Sequence, residues 1–185
     1  SRGLGDVYKR HDIYHSSITY FPLLPLSKTA SFECKVLDIR QMPAQVLFPH
    51  WDDEFEFIYV LSGMMEFRVR QKAFLVSSGE GFFLNTGEIH SACAYQSYDC
   101  RFVIYRICPS VLFQTEDNPL YQKYIKPMVD HPSFGFLTFV PKVPWQKYIL
   151  EMIRKMNDIC ERPVDGYELK INHFINEIFY YCLLY

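Results

Sequence analysis

Four side chains in this sequence have the types and spacing to do chemistry together: His50, Asp52, Glu56 and His90. Imidazoles and carboxylates make hydrogen bonds in several protonation states, and together they suit a divalent transition metal, including the two-histidine, one-carboxylate arrangement. Residues of equal parity on an extended chain face one side, so His50, Asp52 and Glu56 are expected to point together into a barrel. His90, on a different strand, completes the set. The plainest alternative makes both histidines partly buried polar residues, hydrogen-bonded to Asp52, Glu56 or backbone groups. Our reading is a polar patch lining a ligand cavity, with no cofactor. A metal held by His50, Glu56 and His90 is the alternative.

The elements that must position these residues read as short strands followed by helices. Phe32–Ile39, Phe55–Leu61, Met65–Val69, Phe82–Leu84 and Arg101–Ile107 are β-favouring runs. They are separated by turn-rich groups such as Arg40–Pro43, Ser62-Gly63, Ser77–Gly81 and Asn85–Gly87. Many short strands at close spacing predict an all-β sandwich or barrel. Asn118–Val129 is expected to hold a short helix disturbed by Pro127.

Near Val140 the spacing turns helical. Trp145, Ile149, Met152, Ile153, Met156 and Cys160 form one stripe, with Pro144 suited to a helix start. Asp165 and Glu168 have the spacing of a capping box. Behind them Ile171, Phe174, Ile175, Ile178 and Cys182 make a second stripe, completing a helical hairpin. The last turns, Ile178–Tyr185, are apolar all round, and such a surface needs partners on more than one side. Another subunit, or further chain, is expected to cover it.

Composition narrows the function classes. The 185 residues are 49% apolar and 17% aromatic, enough for a real core and against intrinsic disorder. With 19 Lys and Arg against 21 Asp and Glu, the net charge of −2 supplies no basic excess for phosphates. No apolar run approaches the roughly 18 residues of a membrane span, and no secretory signal is expected, which points to the cytoplasm. Cys34, Cys93, Cys100, Cys108, Cys160 and Cys182 form no CxxC pair and read as buried free thiols. Nucleotide-loop, GxSxG and HExxH motifs do not occur.

The segments His50–Gly63 and Gly79–His90 resemble the two-part signature of the cupin superfamily. In the first, His50, Glu56 and Gly63 fit and Asp52 replaces the second histidine; in the second, Gly79, Gly87 and His90 fit. The fuller wording of these segments, with Val143–Lys147 and Gly166–Ile171 opening two helices, resembles the N-terminal sensing domain of AraC-type bacterial transcription regulators. The resemblance covers roughly residues 30–185.

It implies a cupin-like double-stranded β-helix barrel over 31–140 and a helical hairpin over 141–185 that makes a homodimer, while the first residues, rich in Tyr, Pro and His, are expected to form an N-terminal arm over 1–30. Met152, Met156, Ile175, Ile178, Phe179, Cys182 and Leu183 are the expected interface. It also implies a small-molecule effector in the barrel; His50, Asp52, Glu56 and His90 are the expected ligand-binding residues, and Glu56 with the two histidines suggests a polar molecule such as a sugar. DNA would be bound only through a C-terminal helix-turn-helix domain that these residues do not contain. A non-enzymatic sensor is thus expected. The alternative is a metal-dependent cupin enzyme, a dioxygenase or isomerase.

Overall fold

The computed structural model describes residues 31–185 except Ser97, 114–116 and Pro132, together with two short strands before them. The expected arm over 1–30 otherwise lies outside the described residues. In chain order the elements are β1 (Thr19–Tyr20), β2 (Leu24–Pro25), β3 (Ser31–Asp38), β4 (Val46–His50), β5 (Phe55–Val69), β6 (Lys72–Ser77), β7 (Gly81–Leu84), β8 (His90–Ala94) and β9 (Cys100–Ile107). Then come α1 (Ser110–Phe113), α2 (Lys126–Asp130), β10 (Phe136–Phe139), α3 (Pro144–Glu161) and α4 (Tyr167–Leu184). The expected mainly-β body with a C-terminal helical hairpin is what forms.

Strand pairing is antiparallel throughout the described residues. One sheet runs β1-β3-β9-β5-β7-β10, with β2 also on β3; β4, β8 and β6 complete a second sheet around the far half of β5. Ser62-Gly63 does not break the chain into two strands, as its composition suggested. β5 instead runs 15 residues through both sheets, with a register shift between Val60 and Ser62. Gly63 makes the bend possible: its φ is 80°, and a Cβ there would collide with the Asp99 carbonyl.

The core has two layers, one on each face of the first sheet. Ile58 and Val60 of β5 point into the barrel with Phe102, Ile104 and Phe82. Phe55, Phe57 and Tyr59 point the other way, onto α3 and α4. A strand buried on both faces reads as a continuous apolar run, which accounts for the density of Phe55–Leu61.

The hairpin therefore spends its apolar stripe on its own barrel. Met152, Met156, Ile175, Ile178, Phe179 and Cys182, expected at a subunit interface, are interior residues of this second layer. Of that set only Leu183 is exposed. Amphipathic spacing identifies a buried face but not what buries it, and here the sheet does. The capping box does not form either: α4 starts from Gly166 at φ 78° with no side-chain cap.

Between barrel and hairpin, Tyr121–Ile125 winds as a wider π-helical turn before α2. Pro127 then falls in the first turn of α2, where its missing N–H costs little. Asn85 pins this segment to the sheet. Its Nδ2 donates to the carbonyls of Met128 (2.8 Å) and Phe134 (2.9 Å), while its Oδ1 accepts from Thr86 N. Asn85→Ala strands buried carbonyls, and we expect a loss of about 2 kcal/mol, or roughly 4–8 °C in melting temperature. An unchanged melting curve would show that the pin carries no weight.

Candidate functional site

The four predicted residues converge, though by a different route from a shared strand. His50 ends β4, Asp52 lies in the bend that follows, Glu56 is the second residue of β5, and His90 opens β8. Antiparallel pairing of β4 with β8 sets His50 opposite His90, and their rings lie 4.2 Å apart between centroids. Glu56 shares the inward face of β5 with Ile58 and Val60. A bend between His50 and Glu56 and the pairing of β4 with β8, rather than parity along one strand, bring them together.

Asp52, Glu56 and His90 are buried, and His50 is half-buried. His90 Nε2 lies 2.9 Å from Glu56 Oε2, and His50 Nε2 lies 3.8 Å from Asp52 Oδ2. Each ring is also tethered from behind. His50 Nδ1 is 2.8 Å from the Phe48 carbonyl, and His90 Nδ1 is 2.9 Å from the Glu88 carbonyl. A carbonyl can only accept, so both Nδ1 atoms carry the proton and both Nε2 atoms face the site.

Arg106 was missed by the sequence reading, and it sits at the centre. It stands on β9 with its Cα partnered to Glu33 of β3 on one side and Glu56 of β5 on the other. Its Nε donates to Glu56 Oε1 at 2.9 Å, its Nη1 to Glu33 Oε2 at 3.2 Å, and its Nη2 lies 3.3 Å from Asp52 Oδ2. Lys35 Nζ closes the row at 2.8 Å from Glu33 Oε1. The signal was present in Phe102–Ile107: Arg106 falls on the same parity as Phe102 and Ile104, the barrel-facing positions. A charge on a buried face needs partners.

Electrostatics follow from this crowding. Burial, then the nearby His90 charge, pushes His50 down to about 4. Burial works against a charged His90, but the Glu56 carboxylate outweighs it and raises the imidazole. For Glu56, burial pushes upward and is outweighed by His90 and then Arg106, which hold it well below the usual carboxylate range. His50 is thus neutral at pH 7, and His90 and Glu56 form a buried ion pair.

The sign for His50 follows from linkage. Its folded value lies below the ordinary 6.5, so the unfolded chain takes up the proton first as pH falls. His90, shifted upward, contributes fully below 6.5. Glu56, shifted downward, contributes fully above its ordinary 4.5. Between pH 6.5 and 4.5 the slope therefore belongs to His50, and stability is expected to fall by about 2–3 kcal/mol. Urea unfolding across that window checks it; an equal slope in His50→Gln would reject the assignment.

His50, Glu56 and His90 each offer a ligand atom, all within 4.8 Å of one another. Two imidazole Nε2 atoms with tethered Nδ1 positions, plus one carboxylate oxygen, fit a divalent first-row transition ion. Asp52 does not join this set.

Other candidates resolve more plainly. Phe55, Phe57 and Tyr59 face the hairpin rather than a ligand. His173 pairs with Glu177 at 3.3 Å on the outside of α4. All six cysteines are free, and burial holds the Cys100 and Cys182 thiols up at about 12, far from reactive thiolates.

The family model of the AraC-like ligand binding domain matches residues 35–169, most of the barrel and hairpin. The chain belongs to that family. This AraC-like domain is also 28% identical over 122 residues to the uncharacterized HTH-type transcriptional regulator YdeC of Bacillus subtilis (strain 168), covering 66% of this chain and 41% of that protein. It thus spans about two-fifths of the length of this curated relative. Among solved structures, ToxT from Vibrio cholerae aligns over 80% of the chain and 55% of its own, with a TM-score of 0.55 at 9% identity, a likeness of fold alone. A cupin-2 domain protein from Shewanella frigidimarina aligns over 50% of this chain and 80% of its own at 17% identity, with a TM-score of 0.36. The AraC-like domain is a mainly β barrel carrying a C-terminal helical hairpin, the architecture that the resemblance to sensing domains implied.

Proposed function

We propose that this AraC-like domain senses a small polar effector inside its barrel and passes the signal to DNA binding by another part of a cytoplasmic transcription regulator. One observation carries the reading. Asp52, Glu56 and His90, buried, and Glu33 and Arg106, half-buried, form a charged network on the inner face of an otherwise apolar barrel. An apolar core of the same shape is commonly as stable or more so, which favours a binding role for these groups. Carboxylates and neutral imidazole favour a ligand rich in hydroxyl donors, such as a sugar. No helix among the described residues is long and apolar enough to cross a membrane.

A thermal-shift screen of sugars and small acids tests it. A binder at a hundred times its Kd stabilises by about 2.7 kcal/mol. The shift is expected to vanish in Glu56→Gln and in His90→Gln; a shift that survives both places the ligand elsewhere.

A homodimer belongs to the same reading, on the outer face of α4, which keeps only Leu183 of the residues first expected. Leu169, His173, Asn176, Tyr180 and Leu183 recur at alternating four- and three-residue steps on the outer side of α4, the spacing of a helix-pairing seam. Leu169 is 79% and Tyr180 57% exposed. Leu169→Glu with Tyr180→Glu is expected to give a folded monomer by sedimentation velocity. A persistent dimer with this double change rejects the seam.

A metal-dependent cupin enzyme is the second reading, favoured by the tethered Nδ1 atoms. Elemental analysis of purified protein separates the two: near-stoichiometric transition metal supports the enzyme, and its absence with an effector-induced shift supports the sensor.

A further inference from the structure

We propose that Arg106 is the positioning residue of this site: its guanidinium grips one oxygen of Glu56 and holds Asp52 aside, so that the barrel presents two imidazole nitrogens and a single carboxylate oxygen. The inference rests on the fit of His50, Glu56 and His90 to a divalent cation and concerns how that set is defined.

The division of labour is atomic. Arg106 Nε takes Glu56 Oε1 at 2.9 Å, which leaves Oε2 facing His90 Nε2. On the same fork Nη2 holds Asp52 Oδ2 at 3.3 Å, and Asp52 stays outside the group of atoms that can share an ion. Nη1 is anchored on Glu33 Oε2, and the other oxygen of that carboxylate, Oε1, is held by Lys35, so the guanidinium is fixed from β3 while it orients groups on β5 and in the β4–β5 bend. A planar fork with five donors can hold three carboxylates in fixed directions; an ammonium of equal charge cannot. The position on β9 makes this reach automatic, because register alone sets Arg106 between Glu33 and Glu56.

Cobalt(II) is the probe, titrated into the whole chain and followed by visible absorption and calorimetry. Arg106→Lys keeps the charge and loses the fork, so a change in binding reports orientation. Loss of such an outer partner is expected to weaken cobalt 10- to 100-fold and to alter the band shape. Met156→Ala, which loosens the hairpin layer on the other face of the sheet, is expected to lower the melting temperature and leave affinity and spectrum unchanged. Wild-type binding with equal affinity and spectrum in Arg106→Lys overturns the role of Arg106 while the cation site stands. No cobalt binding by wild type overturns the cation site, and this inference with it. Should Arg106→Lys fail to fold, Glu33→Asp decides alone. It preserves charge but shortens the anchor, so a several-fold weaker, spectrally altered site supports the proposal, and an unchanged one overturns it.

Discussion

Arg106→Met is expected to cost about 3–5 kcal/mol of folding stability, a large part of the 5–15 kcal/mol typical of a whole domain. The loss has little to do with the intrinsic strength of ion pairs. Removing the guanidinium leaves Glu33, Asp52 and Glu56 facing one another, two of them buried, with the Lys35 ammonium and the His90 imidazole remaining as counter-charges. A stranded charge is penalised far more than a satisfied pair is rewarded. A quadruple variant that adds Glu33→Gln, Asp52→Asn and Glu56→Gln should recover much of the loss, because the carboxylates are then neutral. Urea unfolding at pH 7 measures both. A single variant as stable as wild type, or a quadruple variant no better than the single one, would mean the network does not hold in solution.

The second large effect is Phe179→Ala, expected to cost about 3–5 kcal/mol. Its ring sits 5.0 Å from Phe55, 5.6 Å from Phe57 and 5.8 Å from Phe83 between centroids, edge-on to the last two. Truncation opens a void where hairpin meets sheet, and close-packed neighbours collapse only partly into it. Tyr180, the next residue, points outward, and at concentrations where the protein is monomeric Tyr180→Ala should change stability by less than about 0.5 kcal/mol. Thermal and denaturant unfolding of the pair distinguishes a helix whose inner face binds its own barrel from one whose inner face awaits a partner. Equal effects at 179 and 180 would reject the packing described here.

Fold and site were legible to different depths, for physical reasons. The strand texture and the change to helical spacing near Val140 predicted barrel and hairpin, because periodicity reports burial directly. Periodicity does not report the partner, and so Ile175, Ile178 and Phe179 were assigned to a neighbouring subunit. Ser62-Gly63 reads as a stop in any local scan. Only the close approach of Asp99 explains why the strand bends there and continues. At the site, His50, Glu56 and His90 were identifiable by type and spacing, but their convergence depends on a bend between two strands and on the pairing of β4 with β8. Arg106 lies 50 positions from Glu56, and no local window joins them. Its one clue was a cation at a position otherwise occupied by Phe102 and Ile104.

The first residues of β5 have a broader consequence. Phe55, Glu56 and Phe57 alternate across the sheet, so one short stretch of backbone shows a carboxylate to the barrel interior and two rings to the hairpin. Chemistry and architecture are wired in series there. Engineering a new specificity by repacking around position 56 will disturb the seating of α4, and tightening that seating will constrain what the interior can accept. A designer who wants the two to vary independently would do better to work from β4 and β8, which carry the imidazoles and lie away from the helices.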